Sequence, residues 1–211
     1  MKKIFYSILI FLLILLNFST VCADDVDNEG EFENTVEVTA SSVTALPKTN
    51  SRRYIVYDRI SKSMIIGKNE DVKSAMASTT KIMTSIVILE KADLDEMVTV
   101  SAKAGGTGGS RLGLKKGDKA SVKNLLYGLM LRSGNDAAVA LAEHVGGSVK
   151  EFAELMNEKA SELGLTNTHF VTPHGLDDAN HYTTALELAK LTDYAMDNET
   201  FAKIVGTKST T

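Results

Sequence analysis

Two hydroxyls, one amine and one amide carry the chemistry that this sequence could perform. Ser78 and Lys81 stand three positions apart in the stretch AMASTTKIMTSIVILE, residues 75–90. On a helix, positions i and i+3 are surface neighbours about 5–6 Å apart at Cβ, so the hydroxyl and the amine can meet. A serine hydroxyl is a weak nucleophile and needs a base beside it. A lysine, with an ordinary pKa of about 10.4, is no base at neutral pH unless burial disfavours its charged form. The positive potential of a helix N-terminus pushes in the same direction. Ser133 and Asn135, in RSGND, offer a second hydroxyl for proton relay and an amide for holding a substrate backbone. Both pairs also have plain structural uses. Ser78 fits an N-cap with an exposed lysine in the first turn, and RSGND fits the junction between two helices. Each spacing occurs once in the chain.

The elements around these residues favour the chemical reading. From Ser78 to Leu89 the chain reads as a helix on which Ile82, Met83, Ile86, Val87, Ile88 and Leu89 point in nearly every radial direction. A helix that is apolar all round is a buried helix, and its lysine is buried with it. Upstream, RYIVYD and SMIIGK read as a hairpin from near Arg52, and downstream MVTV is strand-like. GGTGGSRLGL must be a loop. From Ala120 the pattern turns helical, with Val122, Leu125, Leu126, Leu129 and Met130 on one stripe. NDAAVALAEHV reads as a second helix after RSGN. SVKEFAELMNEKASELG is a third, with Ser148 and Glu151 in capping-box spacing and Gly164 at its end. THFVTPHGLDDANHY is a loop, and TALELAKLTDYAMDN a fourth helix.

Lys2, Lys3, the apolar run Ile4–Leu16 and Val21-Cys22-Ala23 have the layout of a secretory signal cleaved after Ala23. Its loss would leave the formal charge two units more negative than the −4 of the whole chain. It would also remove Cys22, the single cysteine, which excludes disulfides, a thiol nucleophile and cysteine-ligated metals. Residues 24–50 are acidic and then Thr/Ser-rich, and read as a spacer. An acidic exported chain with no basic run is suited neither to nucleic acid nor to an anionic membrane surface. The four histidines, His144, His169, His174 and His181, match no helical zinc spacing.

Ser-x-x-Lys with Ser-x-Asn and Lys-Thr-Gly marks class A β-lactamases and penicillin-binding proteins. The chain resembles the serine D-alanyl-D-alanine carboxypeptidases, the low-molecular-mass penicillin-binding proteins. The resemblance is carried by ASTTKIMTS, GSRLGLKKGD, LLYGLMLRSGNDAAVALAEHVGG, FAELMNEKASELGLTNTHF and PHGL, in family order from about Tyr54 to Thr211. It implies an α+β fold of the β-lactamase/transpeptidase type: a helical block on an antiparallel sheet, of which only the N-terminal hairpin strands are expected here. The implied organisation is a signal peptide at 1–23, a linker at 24–50 and the N-terminal part of the catalytic domain at 51–211. Ser78 would be the acylated nucleophile, Lys81 its general base, Ser133 a proton relay and Asn135 a substrate-binding amide. His174 would lie on a loop bordering the active site. No metal or organic cofactor is implied. The implied partners are a peptidoglycan stem peptide ending in D-Ala-D-Ala and, as inhibitors, β-lactams, at the extracytoplasmic face of a bacterial membrane. Membrane contact would run only through an uncleaved signal or a missing C-terminal anchor. Lys-Thr-Gly itself is absent; Lys48-Thr49-Asn50 is the nearest string. The expectation is therefore a C-terminally truncated chain of poor activity. A class A β-lactamase-like hydrolase, for whose water-activating glutamate Glu154-Leu155-Met156-Asn157 is a superficial match that reads as mid-helix, a catalytically dead wall-binding relative and a processing protease are the alternatives.

Overall fold

The computed structural model describes residues 49–176 and 178–209. The expected signal segment and all of the spacer except residues 49 and 50 lie outside them. Strands β1 (Tyr54–Asp58) and β2 (Ser63–Lys68) form the expected antiparallel hairpin, with an irregularity between Val56 and Tyr57. A 3-10 turn, Ala77–Thr80, leads directly into α1 (Lys81–Lys91). Then come β3 (Met97–Thr99), the short α2 (Ala102–Gly105), β4 (Lys119–Ser121) and α3 (Val122–Leu131). Helices α4 (Asn135–Gly146), α5 (Val149–Glu162), α6 (Ala185–Met196) and α7 (Glu199–Val205) complete the order.

Helix α1 is the hub, packed against α3, α4, α5, α6 and α7. Met83, Ile86, Val87 and Ile88 are buried, as their all-round distribution requires, and so are Lys81, Thr84 and Ser85. Around α1 the core collects Leu125, Leu126 and Leu129 of α3, Ala138 and Leu141 of α4 and Phe152 and Met156 of α5. The alanine-rich α4 allows close approach: a Cβ on Gly146 would lie 2.7 Å from the Phe152 nitrogen. The hairpin is tied to α6 by ions, with Arg59 Nε 2.8 Å and Lys62 Nζ 2.7 Å from the two Asp193 carboxylate oxygens.

Three features depart from the sequence expectation. The hairpin is not the whole sheet content, because β3 and β4 form a second antiparallel pair, Met97 opposite Ser121. β3 falls on the strand-like MVTV as expected; β4 departs from the expectation because three residues are too short to show a period, and Ser121 both ends β4 and caps α3 by accepting from the Asn124 N–H at 3.2 Å. Two helices, α2 and α7, were not foreseen. They have four and seven residues, and each starts at a polar cap, Ser101 or Asn198. The Ser148 cap of α5 forms as expected, its hydroxyl accepting from the Glu151 N–H at 3.1 Å.

Candidate active site

The 3-10 turn holds Ser78 exposed on the surface, while Lys81, one turn on, is only 2% exposed. Lys81 Nζ makes three polar contacts: 2.8 Å to Asn135 Oδ1, 3.0 Å to the His174 carbonyl oxygen and 3.3 Å to Ser78 Oγ. No carboxylate touches the amine among the described residues, so burial acts alone and lowers its pKa to about 8. Two of the partners are carbonyl oxygens, which can only accept; the third is a hydroxyl, which can also donate.

Asn135 opens α4 and is buried. Its amide is oriented by its surroundings, because Nδ2 donates to the Gly108 carbonyl at 2.8 Å and leaves Oδ1 for the lysine. The Asn135 main-chain N–H donates to Ser110 O at 2.8 Å. Gly109 must be glycine here: its φ is +81° and a Cβ would stand 2.6 Å from Asn135 Nδ2. Ser133 sits between α3 and α4 with a φ of +55°, and Ala77, just before Ser78, has a φ of +46°. Left-handed backbone at a residue with a Cβ costs about 1–2 kcal/mol. Both hydroxyl-bearing segments of the site therefore carry backbone strain. Ser133 Oγ is buried and makes no hydrogen bond among the described residues. The structure thus joins Ser78, Lys81, Asn135 and the His174 main chain, and leaves the Ser133 hydroxyl unengaged.

His174 contributes through its carbonyl. Its imidazole pKa falls to about 4, mainly by burial and then through the charges of Lys81, His181 and Lys103. The neutral ring accepts the Leu176 N–H at Nδ1, 3.2 Å, and adds no cation beside Lys81. Helix α1 grips this loop twice, since Thr84 Oγ1 donates to Pro173 O at 2.7 Å. Gly175 seals the contact with the turn that carries Ser78: its φ is +83° and a Cβ would fall 1.8 Å from Ala77 O.

Several supporting residues escaped the sequence reading. Asp136, fully buried, accepts main-chain N–H bonds from Leu112, Gly113, Leu114 and Ala137 at 2.9–3.0 Å. It fixes the glycine-rich loop against the start of α4. Its only signal was an acid directly after Asn135, which also suits an ordinary helix N-terminus. His181, also buried, lies 2.8 Å from Thr80 Oγ1 through Nε2, and its Nδ1 accepts the Val171 N–H at 2.9 Å. The acceptor role of Nδ1 places the proton on Nε2. Glu154 is exposed on α5, 3.8 Å from Lys150, and does not reach Ser78 or Lys81.

Residues 38–211 match the family described as D-alanyl-D-alanine carboxypeptidase. The D-alanyl-D-alanine carboxypeptidase DacF of Bacillus subtilis is 39% identical over 158 residues, which cover 72% of this chain and 41% of the relative. DacC of Escherichia coli is 42% identical over 163 residues, with the same shares. Among solved structures, a D-alanyl-D-alanine carboxypeptidase from Mycobacterium tuberculosis aligns with a TM-score of 0.76 at 34% identity, over 81% of this chain and 65% of that one. Penicillin binding protein 6B from Escherichia coli aligns with a TM-score of 0.74 at 33% identity, over 80% and 57%. The chain spans about two fifths of the length of these curated relatives.

Proposed function

The chain belongs to the D-alanyl-D-alanine carboxypeptidase family, and from that membership we propose that it cleaves the terminal D-alanine from peptidoglycan stem peptides through an acyl-enzyme on Ser78. The observation that carries the reading is the environment of the Lys81 amine. A neutral amine has two N–H groups and one lone pair. Asn135 Oδ1 and the His174 carbonyl take the N–H groups, and the lone pair is left for the Ser78 hydroxyl at 3.3 Å. A protonated amine fills the same three contacts with three N–H groups. Lys81 can therefore gain or lose a proton without changing partners.

In the proposed reaction Ser78 Oγ attacks the carbonyl between the two D-alanines while Lys81 takes its proton. The C–N bond breaks, and the proton passes through Ser133 to the leaving D-alanine nitrogen. Water then hydrolyses the ester, returning the free serine and a peptide shorter by one residue. The unengaged Ser133 hydroxyl has its hydrogen-bonding capacity available for that transfer. Asn135 holds the acyl side of the substrate. The first N–H groups of a helical segment have no intrahelical acceptor, so that of Ser78 can serve the oxyanion. β-Lactams acylate the same hydroxyl. The reading places residues 51–211 outside the cytoplasm as a catalytic domain behind a signal at 1–23 and a linker at 24–50. Among the described residues Glu154 makes no hydrogen bond or ion pair with Ser78 or Lys81, which weighs against a β-lactamase-like water activation.

Incubation of the 24–211 protein with a fluorescent penicillin should give a covalent band and a mass adduct on Ser78. D-Alanine should be released from diacetyl-Lys-D-Ala-D-Ala, and Ser78→Ala should remove both. A protein that neither forms the adduct nor releases D-alanine sinks the enzymatic reading in favour of a catalytically dead relative. Fast turnover of the penicillin would favour a β-lactamase.

A further inference from the structure

Arg111 and Arg132 line one cleft of about 530 Å³, together with Ser110, Met130, Leu131 and Ser133. Both arginines are exposed, and neither guanidinium has a hydrogen bond or ion pair among the described residues. Arg59, by contrast, is spent on Asp193 and Asp197. Two unpaired cations in one cleft repel each other, and in a chain of net charge −4 they have acids available elsewhere. Their backbones are also fixed. Arg111 lies between Ser110, whose carbonyl accepts the Asn135 N–H at 2.8 Å, and Leu112, whose N–H is held by the Asp136 carboxylate at 3.0 Å. Arg132 caps α3, its N–H donating to Gly128 O at 3.2 Å, and precedes the strained Ser133. Leu112 is wedged beside both segments, within 3.0 Å of where a Cβ on Gly128 or Gly134 would stand. The residues that position the Lys81–Asn135 pair thus also fix the main chain from which both arginines reach the cleft.

We propose that this cleft binds a carboxylate on the acyl side of the substrate, so that the protein prefers stem peptides whose diamino acid keeps a free carboxylate over those whose diamino acid ends in an amine alone. The planar fork of a guanidinium matches a carboxylate with two parallel hydrogen bonds and excludes an ammonium by charge. The placement on the acyl side rests on the role proposed for Asn135, which contacts the Gly108–Ser110 segment of the same loop. The terminal D-alanine offers the same chemistry from the other side, and the test separates the two sources.

The Ser78→Ala protein is titrated calorimetrically with an N-acetylated meso-diaminopimelyl-D-Ala-D-Ala peptide and with its lysyl counterpart, at low salt. The diaminopimelyl peptide should bind about tenfold more tightly, the size expected of one partly exposed charge-assisted contact. The preference should shrink as salt is raised. It should vanish in a variant that adds Arg111→Gln and Arg132→Gln, with an unchanged melting curve, and should survive amidation of the terminal carboxylate. Equal or absent binding of the two peptides overturns the inference. So does a preference that outlasts both arginines, or one that disappears on amidation. Release of D-alanine by the wild-type chain is measured alongside. Release from both peptides without preference defeats the cleft alone; a binding preference with neither release nor Ser78 acylation defeats the carboxypeptidase reading alone.

Discussion

Burial holds the Lys81 amine near a pKa of about 8, so on the proposed mechanism acylation of Ser78 takes its pH dependence from this one side chain. The rate of penicillin labelling should rise with pH through about 8 and then level off, because only the neutral amine can accept the serine proton. At pH 7 about one molecule in ten carries that neutral amine. Stability carries the same signature. The folded pKa lies below the unfolded value of about 10.4, so between them the unfolded state binds the extra proton and stability rises with pH. Denaturant titrations from pH 8 to 10 should show that slope in the wild type and lose it in Lys81→Met. Ser78→Ala, at an exposed position, should abolish labelling while shifting unfolding by no more than about 0.5 kcal/mol. His174 should remain neutral throughout, and an NMR titration should find its ring changing state only near pH 4.

At the scale of elements, the site depends on two loops that have little regular structure of their own. The glycine-rich loop is held by Asp136, whose carboxylate satisfies four main-chain N–H groups. Asp136→Asn removes the charge and turns one acceptor into a donor facing those groups. It should cost about 2–4 kcal/mol of stability in urea unfolding and slow Ser78 labelling, since Asn135 follows the same loop. The PHGL loop is held by α1 and by the fit of Gly175 against Ala77. Gly175→Ala combines an unfavourable φ with a collision against main chain that cannot rotate aside. Labelling should drop at least tenfold, with Lys81 losing the His174 carbonyl, whereas an alanine at Gly164, with open space around it, should leave labelling unchanged. Of these loops the sequence showed the glycines and PHGL, but not what each fastens to. A carboxylate partner many residues away leaves no periodic trace.

At the scale of the molecule, α1 is the helix around which α3, α4, α5, α6 and α7 gather. The hairpin packs on α6 and is tied to it by Arg59 and Lys62 at Asp193. The two cations hold the Asp193 carboxyl below its usual range, so this tie is in place above a pH of about 4 and fails as acid protonates the carboxylate. Asp193→Ala should raise hydrogen exchange in β1 and β2 while amides of α4 stay protected; equal loosening of α4 would mean that the hairpin and the helical block unfold as one unit.

The buried α1 with a lysine in its first turn, the helix borders around RSGN, the Ser148 cap and the family could all be read before any fold was known. All of these are written in local spacing or in unbroken motifs. Ser78 beside Lys81 was legible for the same reason, because a single helical turn brings them together. Tertiary packing is what brings Asn135 Oδ1, the His174 carbonyl and Ser78 Oγ together around the Lys81 amine. Packing likewise lets Asp136 gather the glycine-rich loop and leaves the Ser133 hydroxyl without a hydrogen-bond partner among the described residues. Those relations join segments far apart in the chain through burial and main-chain hydrogen bonds, and such contacts are fixed by packing rather than by any spacing along the sequence.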